Sequence, residues 1–475
     1  MWNPATDRCC GIIPVTTLLA VLATFSISDT GFSQPGKHSS TSASPLVRFS
    51  QTPVPRLLQG PMVGSISEGE ARIWVRLNGP HRVRVRYAPA GLEDRRLERT
   101  TKAVLALPTR DHTAVIPLKG LEPNTAYRYS VTIKGEKSGD AGKEWVFRTL
   151  PPGNLPGKFR VAFGSCASVD FDPAQPIWKT VSRVRPRAFL WLGDNIYADS
   201  QDMEVLRRKY RRQRMVKSLL VFQATVPQLA IWDDHDFGLN DGDRTFPAKK
   251  SSLAVFREYW ANLQYGLPGT PGVFFQWSIG NVDFFFLDTR TYRDPNILPS
   301  FPGKTLLGVR QKAWLKAALG RSRAVFKVLV SSGTWTEGKG RFKDSWGAFL
   351  KERDEIFDFI RDRGITGVFL LAGDSHRAQI NVIPRSNSGG YDLYEVISSP
   401  LAQAVHRGRI RPGGFRPLRP PNAFSMNFGL LEFDTTAEPA RVILRLIGGG
   451  GEDLWKPVVL TADDLKPGVR SWDRK

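Results

Sequence analysis

Cysteine is nearly absent. The 475-residue chain has three, Cys9, Cys10 and Cys166, too few for a disulfide framework. Acidic residues run short, with 45 Asp and Glu against 67 Lys and Arg, a formal charge of +22. That deficit favours anionic partners (phosphate esters, nucleic acid or an acidic surface) without choosing among them. No internal repeat is visible. Gly448–Gly451 lacks the following Lys and Ser of a phosphate-binding loop and reads as a turn. What is present is ordinary globular composition, 41% hydrophobic and 24% charged, which excludes a disordered or fibrous chain. The length suggests two or three domains.

The N-terminus has the pattern of an export signal. Gly11–Phe25 (GIIPVTTLLAVLATF) is apolar but shorter than the roughly 20 residues of a spanning helix. Ser26 and Ser28 put small side chains where a signal peptidase reads, so residues 1–28 are taken as a signal cleaved before Asp29. The alternative is an uncleaved anchor. No Arg-Arg pair precedes the apolar run, which favours general secretion. The expected location is extracytoplasmic, with no transmembrane span in the mature protein. Cleavage leaves Cys166 as the sole thiol: a buried filler, a reactive group or a metal ligand.

Residues 29–57 are rich in Ser, Thr and Pro and read as a linker. From 58 to 150, short alternating runs (ARIWVRL, RVRVRY, HTAVIPL, AYRYSVTI) separated by turn residues predict an all-β sandwich. Within it, Leu121–Tyr129 resembles the corner of fibronectin type III-like domains, where a Tyr hydroxyl bonds back to the backbone. From 151 to 475, apolar strands (FRVAFGS, AFLWLGD, LAIWDDHD, VDFFFLDTR, FKVLVSSG, GVFLLAGD) alternate with helical stretches such as Asp202 to Leu219. The pattern predicts a layered α/β domain whose sheet is buried on both sides.

Four of these strands end alike, in small and polar residues: Gly164-Ser-Cys166, Gly193-Asp194-Asn-Ile-Tyr197, Trp232-Asp-Asp234-His235-Asp, and Gly373-Asp374-Ser-His376. Ligands gather at the carboxyl ends of strands in such domains, and a Gly before Asp lets the backbone turn closely. Thiolate, carboxylate, imidazole and phenolate together form a mixed hard and soft ligand set. Cys beside Tyr suits trivalent iron, and carboxylate and amide oxygens suit calcium or magnesium. Neighbouring metals clamp a phosphoryl oxygen and generate a hydroxide nucleophile near neutral pH. Taken singly, Asp194 also reads as a helix cap, and Asp233, Asp234 and Asp236 as a solvated turn.

The segments in this order, with Leu-Asp288-Thr-Arg290 between the third and fourth, resemble the PhoD-type alkaline phosphatase family from about Gly60 to Gly451. The resemblance implies an α/β metallophosphoesterase fold, with a two-sheet core flanked by helices and preceded by the fibronectin type III-like domain. It implies hydrolysis of phosphate monoesters, diesters or both. Cys166, Asp194 and Tyr197 would hold Fe3+, with Asp194 bridging to Ca2+ (Mg2+ or another divalent ion being the alternative). Asn240, Asp374 and His376 would complete the calcium side, and Asp234 would ligate beside His235. His235 would stabilise the leaving oxygen. Arg290 either forks onto phosphate oxygens or pairs with Asp288 or another carboxylate.

Two basic runs stand apart, Leu206–Arg214 and His406–Arg419. They read as solvated surface or as an electrostatic funnel for polyanionic substrates. Both have few stacking aromatics, so neither is a dedicated nucleic-acid motif. Two alternative functions share these residues: a phosphodiesterase or phospholipase acting on polyanions or lipids, and a catalytically dead secreted binding protein.

Overall fold

Arg82–Pro89 alternates arginine with apolar residues, and the strand buries Val83, Val85 and Tyr87 while leaving Arg82, Arg84 and Arg86 exposed, the period of two that a half-buried strand requires. The computed structural model describes residues 54–135, 143–336, 344–407, 414–422 and 424–475. The signal, most of the linker, and residues 408–413 of the second basic run lie outside the described residues.

The first strands form two antiparallel sheets. One orders Leu57–Ile66, Glu70–Leu77 and Thr113–Lys119; the other centres on Arg82–Pro89 paired with Ala126–Ile133. The Tyr corner is present: the Tyr127 hydroxyl accepts from the N–H of Glu122 at 2.9 Å. This β-region packs directly on the larger region that continues the chain. The Trp74 indole donates to the carbonyl of Glu258 at 2.7 Å, and the Tyr129 hydroxyl donates to that of Ala224 at 2.7 Å. Gly64 permits the approach, because a Cβ there would lie 2.4 Å from the Cβ of Ala261. Residues 53–475 consequently form one compact unit.

The larger region has two mixed sheets. A six-stranded sheet runs in the order Gln228–Ile231, Phe189–Leu192, Lys158–Gly164, Asn427–Asp434, Arg441–Gly448, Val458–Thr461. A seven-stranded sheet runs Phe275–Ile279, Val282–Phe286, Phe326–Val330, Val368–Ala372, Leu393–Ser398, Ala378–Ile383, Arg416–Asn422. Phe433 joins them: its ring meets Phe159 of its own sheet and Phe284, Phe326 and Phe369 of the other, with centroids 5.1 to 6.4 Å apart. Burial on both faces explains the near-continuous apolar runs.

The stretch from Asp202 to Leu219, expected as one helix, is two: Met203–Gln213 and Lys217–Thr225. The chain leaves the first at Arg214, whose fully buried guanidinium lies over the rings of Trp260 (4.1 Å) and Trp74 (5.6 Å). Four of its basic neighbours are committed to this chain's own carboxylates: Arg207 to Glu258, Lys209 and Arg212 to Asp170, and Arg211 to Asp111 and Glu204; Arg208 is exposed. Asp111 is nearly buried and accepts from Arg76, Arg211 and the Tyr259 hydroxyl. Burial opposes its charge, but Arg211, Arg76 and Tyr259 outweigh it and lower its pKa to about 2. A lowered carboxylate pKa stabilises above the unfolded value of about 3.9 and loses that stability as pH falls towards 2. Metal-free wild type should exceed Asp111→Asn in urea stability by on the order of 1–2 kcal/mol at pH 5. The gap should close between pH 4 and 2, whereas a pH-independent gap would contradict this role.

Candidate metal centre

Each of the four segments leaves its strand and turns sharply. Cys166 follows Lys158–Gly164, Asp194 follows Phe189–Leu192, Asp233 and Asp234 follow Gln228–Ile231, and Asp374 follows Val368–Ala372. The first three strands are parallel neighbours in register, so their carboxyl ends open on one edge. The fourth comes from the other sheet. Gly373 lets the two edges meet: a Cβ there would lie 2.5 Å from the Ser165 hydroxyl oxygen, which instead accepts the N–H of Asp374 at 3.1 Å.

Four candidate ligands occupy the left-handed backbone region: Cys166 (φ 62°), Asp194 (50°), Asp374 (59°) and His376 (53°). Non-glycine residues incur about 1–2 kcal/mol each there, and such strain collects at functional sites. The turns converge the side chains. Cys166 Sγ lies 3.4 Å from Asp194 Oδ2, and the Tyr197 hydroxyl lies 3.5 Å from the same oxygen and 3.3 Å from His376 Nε2. Ligand atoms gather within 4.8 Å in four groups: Cys166, Asp194 and His376; Asp194, Asp234 and His235; Asp194, Asp233 and Asp374; and Asp233, Asp234 and Asp344. Asp194 belongs to three of them. The floor (Cys166, Asp194, Asp233, Asp234) is buried, and the mouth (Tyr197, His235, Asp374, His376) is half-buried.

So many acidic groups packed together and buried resist ionisation. Burial, joined by the charge of Cys166 and neighbouring carboxylates, pushes Asp194 well above the usual carboxylate range. Burial likewise raises Cys166 and Tyr197. Asp233 is also raised, burial outweighing its pairing with Arg290. Asp234 goes the other way: burial opposes its charge most, but Arg290, His235 and the Asp241 N–H together prevail and lower it. His235 is raised to about 9: burial opposes its charge, but the Asp199 carboxylate, 2.6 Å from Nδ1, and Asp234 prevail. Two buried carboxylate oxygens, Asp194 Oδ1 and Asp233 Oδ2, have no hydrogen-bond partner. Orphaned buried acceptors beside a thiol, phenol and imidazole fit metal ions.

The single-residue alternatives do not survive. Asp233, Asp234 and Asp236 are at most 5% exposed, so they are no solvated turn. No helix begins at Asp194. Asn240 lies exposed on the turn after the third segment, where the next residue's N–H donates to Asp234 Oδ2 at 2.8 Å. Arg290 is fully buried, and its guanidinium is taken up by Asp233, Asp344 and the carbonyl of Gly242. It pairs with carboxylates, though Asp288 is not one of them: that side chain accepts the Arg290 and Thr291 backbone N–H groups. Sequence reasoning missed Asp199 and Asp344 as members of the site and passed over Asp233 as a candidate ligand. Only Asp233 carried a signal, its place in the Asp-Asp-His-Asp segment.

Both regions have counterparts among known proteins. Residues 161–412 match the family of PhoD-like phosphatases, and residues 54–144 match a domain family of unknown function, DUF7800. Alkaline phosphatase D of Bacillus subtilis (strain 168) is 26% identical over 323 residues, covering 57% of this chain and 54% of that protein. The aligned part thus spans about half of that relative's length. Among solved structures, that of PhoD superposes with a TM-score of 0.66 at 19% identity, covering 87% of this chain and 94% of that one. Purple acid phosphatase PPD1 from yellow lupin (Lupinus luteus) seeds gives 0.58 at 12% identity, covering 86% and 74%. The two-sheet core is therefore a metallophosphoesterase-like α/β fold.

Proposed function

The chain belongs to the PhoD-like phosphatase family, and from that premise we propose that it is an exported, metal-dependent hydrolase of phosphoric ester bonds. The observation that carries the reading is the convergence of Cys166, Asp194, Tyr197 and His376 beside Asp233, Asp234 and Asp374, with Asp194 common to three of the ligand groups. Cys166, Asp194 and Tyr197 would hold Fe3+, and His376, expected from the resemblance on the calcium side, would join them, since it groups with Cys166 and Asp194 and lies 3.3 Å from the Tyr197 hydroxyl. Asp194, Asp233, Asp234 and Asp374 would hold Ca2+, and Asn240 stands at the edge of that side. When bound, neighbouring cations neutralise phosphoryl oxygens and supply a nucleophile near neutral pH.

The chain's own groups do the rest. Asp199 engages His235 at Nδ1, which leaves Nε2 as the ring nitrogen for a substrate oxygen. A histidine raised to about 9 holds its proton at mildly alkaline pH and stabilises the departing oxygen. Arg290 holds Asp233 and Asp234 in place. Export rests on the apolar run Gly11–Phe25; no described helix is long and apolar enough to cross a membrane. N-terminal sequencing of the mature chain should begin at Asp29, and an intact Met1 would refute cleavage.

The test is the rate of hydrolysis of a nitrophenyl phosphate monoester and of the matching bis-ester, after loading with Fe3+ and Ca2+. Turnover of either supports the reading, and their ratio assigns monoester or diester preference. No turnover of either, with metals bound, refutes it. Cys166→Ser should reduce iron retention against a chelator by about 10–100-fold or more, because a hydroxyl replaces a thiolate. Wild-type iron content in that variant would remove Cys166 from the ligand set.

A further inference from the structure

We propose that the N-terminal β-region is a positioning element of the metal centre, acting from Asp111 through Arg211, Tyr259 and Tyr210 to Asp236. This gives a role to the segment matching a domain family of unknown function, and it rests on the metal-site reading.

The contacts are continuous. Asp111, held in the left-handed region (φ 51°) just before strand Thr113–Lys119, offers its carboxylate to three elements at once. Arg76 of the β-region donates to it at 2.8 and 3.1 Å. Arg211 Nε, from helix Met203–Gln213, donates at 2.7 Å. The Tyr259 hydroxyl, from helix Lys249–Tyr259, donates as well. The Tyr259 ring stacks on Tyr210, with centroids 4.8 Å apart and planes at 13°, and Tyr210 adjoins Arg211 on its helix. The Tyr210 hydroxyl then donates to Asp236 Oδ1 at 3.2 Å.

Asp236 is fully buried and holds two ligand turns by their backbones. It accepts the N–H of Asn195 at 3.1 Å and that of Asp233 at 3.2 Å. Asn195 follows Asp194, and Asp233 precedes Asp234. Asp194 sits in a left-handed conformation that its neighbours must enforce (φ 50°). Fixing the N–H that follows Asp194 and the N–H that precedes Asp234 places both carboxylates, as groups beyond the ligands orient ligands elsewhere. Asp111 and Tyr210 touch no candidate ligand atom and no substrate position, so both are positioning residues.

Spatial continuity alone does not demonstrate coupling, so the experiment measures it. Asp111→Asn, which keeps shape and tolerates a left-handed backbone, Tyr210→Phe, which removes one hydroxyl, and the double variant are each loaded with Fe3+ and Ca2+. Metal retained against a chelator, kcat, KM and thermal midpoint are then read. Tyr129→Phe is the control: it removes an equally buried bond between the β-region and the larger region, to Ala224, that does not lead to Asp236. Each single variant should lose metal about 3–30-fold faster, with kcat reduced by a similar factor and KM unchanged. The double variant should be no worse than the worse single, because both cut the same chain of contacts. Tyr129→Phe should lower the thermal midpoint and leave metal retention at wild type.

Metal retention equal to wild type in both single variants, additive losses in the double, or the same metal loss in Tyr129→Phe would overturn the proposal. Should Asp111→Asn not fold, Tyr210→Phe against the control decides it. A protein that retains metal but hydrolyses no phosphate ester refutes the functional reading and leaves this inference standing on metal retention alone.

Discussion

Asp194→Asn is expected to reduce phosphate-ester hydrolysis by about 1,000-fold or more, the several kcal/mol that metal ions supply, and to lose metal on both sides of the site. Asparagine preserves the shape and tolerates the left-handed backbone that Asp194 adopts (φ 50°), so the change removes charge and one ligating oxygen while sparing the turn. Asp194 is common to three of the four ligand groups, so under the proposed assignment the loss of its charge would weaken both metal sites. The metal-free chain should respond in the opposite sense. Burial and the charges of Cys166, Asp234, Asp233 and Asp236 hold the Asp194 pKa well above its unfolded value. A carboxyl raised on folding binds its proton more tightly in the native state, so its contribution falls as pH rises above about 4. Metal-free wild type should therefore lose urea stability between pH 5 and 8 more steeply than metal-free Asp194→Asn. Added metal should restore the wild type and do little for the variant. A variant that binds both ions and keeps a tenth of the activity would contradict the bridging assignment.

What could be read in advance was what is local. Cys166, Asp194, Tyr197, Asp234, Asp374 and His376, which the fold brings together, each lie within a few residues of an apolar strand end, and a strand, a glycine and a candidate ligand are adjacent letters. The strongly apolar strands likewise announced sheets buried on both faces. Missing were the partners that folding brings from afar. Asp199 is 36 residues from His235, Asp344 is 54 from Arg290, and Asp111 is 100 from Arg211 and 148 from Tyr259. No local pattern marks an aspartate for such a role. The helix break at Arg214 was hidden for the same reason. The residue at the break packs on a pair of tryptophans, Trp74 and Trp260, on distant segments. The basic run around it read as surface because charge usually is solvated, but here its cations brace helix Met203–Gln213 against Asp111, Asp170 and Glu258.

Arg290→Met should destabilise the metal-free protein by about 3–5 kcal/mol, the usual result of leaving buried charge without its partner. The guanidinium is wholly buried and serves Asp233 and Asp344 directly, with Asp234 Oδ1 at 3.8 Å. Arg293 also reaches Asp344, at 2.6 Å, so the carboxylates left uncompensated are Asp233 and Asp234, the two proposed as ligands. Arg290→Lys tests geometry separately from charge. A point charge on a flexible stem cannot bridge two carboxylates as a planar fork does, so this variant should fold with an intermediate loss and should bind the second metal more weakly. Added Ca2+ should widen the stability gap between Arg290→Lys and wild type, since the form that binds the cation more tightly gains more from it. The competing role, a fork onto substrate phosphate, makes a different set of numbers. Removing a phosphate contact raises KM or lowers kcat and leaves the stability of the substrate-free protein untouched. Unfolding measured without substrate thus decides between them. A wild-type urea midpoint in metal-free Arg290→Lys and Arg290→Met would return Arg290 to the substrate, whereas a large loss in Arg290→Met with a partial loss in Arg290→Lys fixes it as the counter-ion that lets three carboxylates share one buried site.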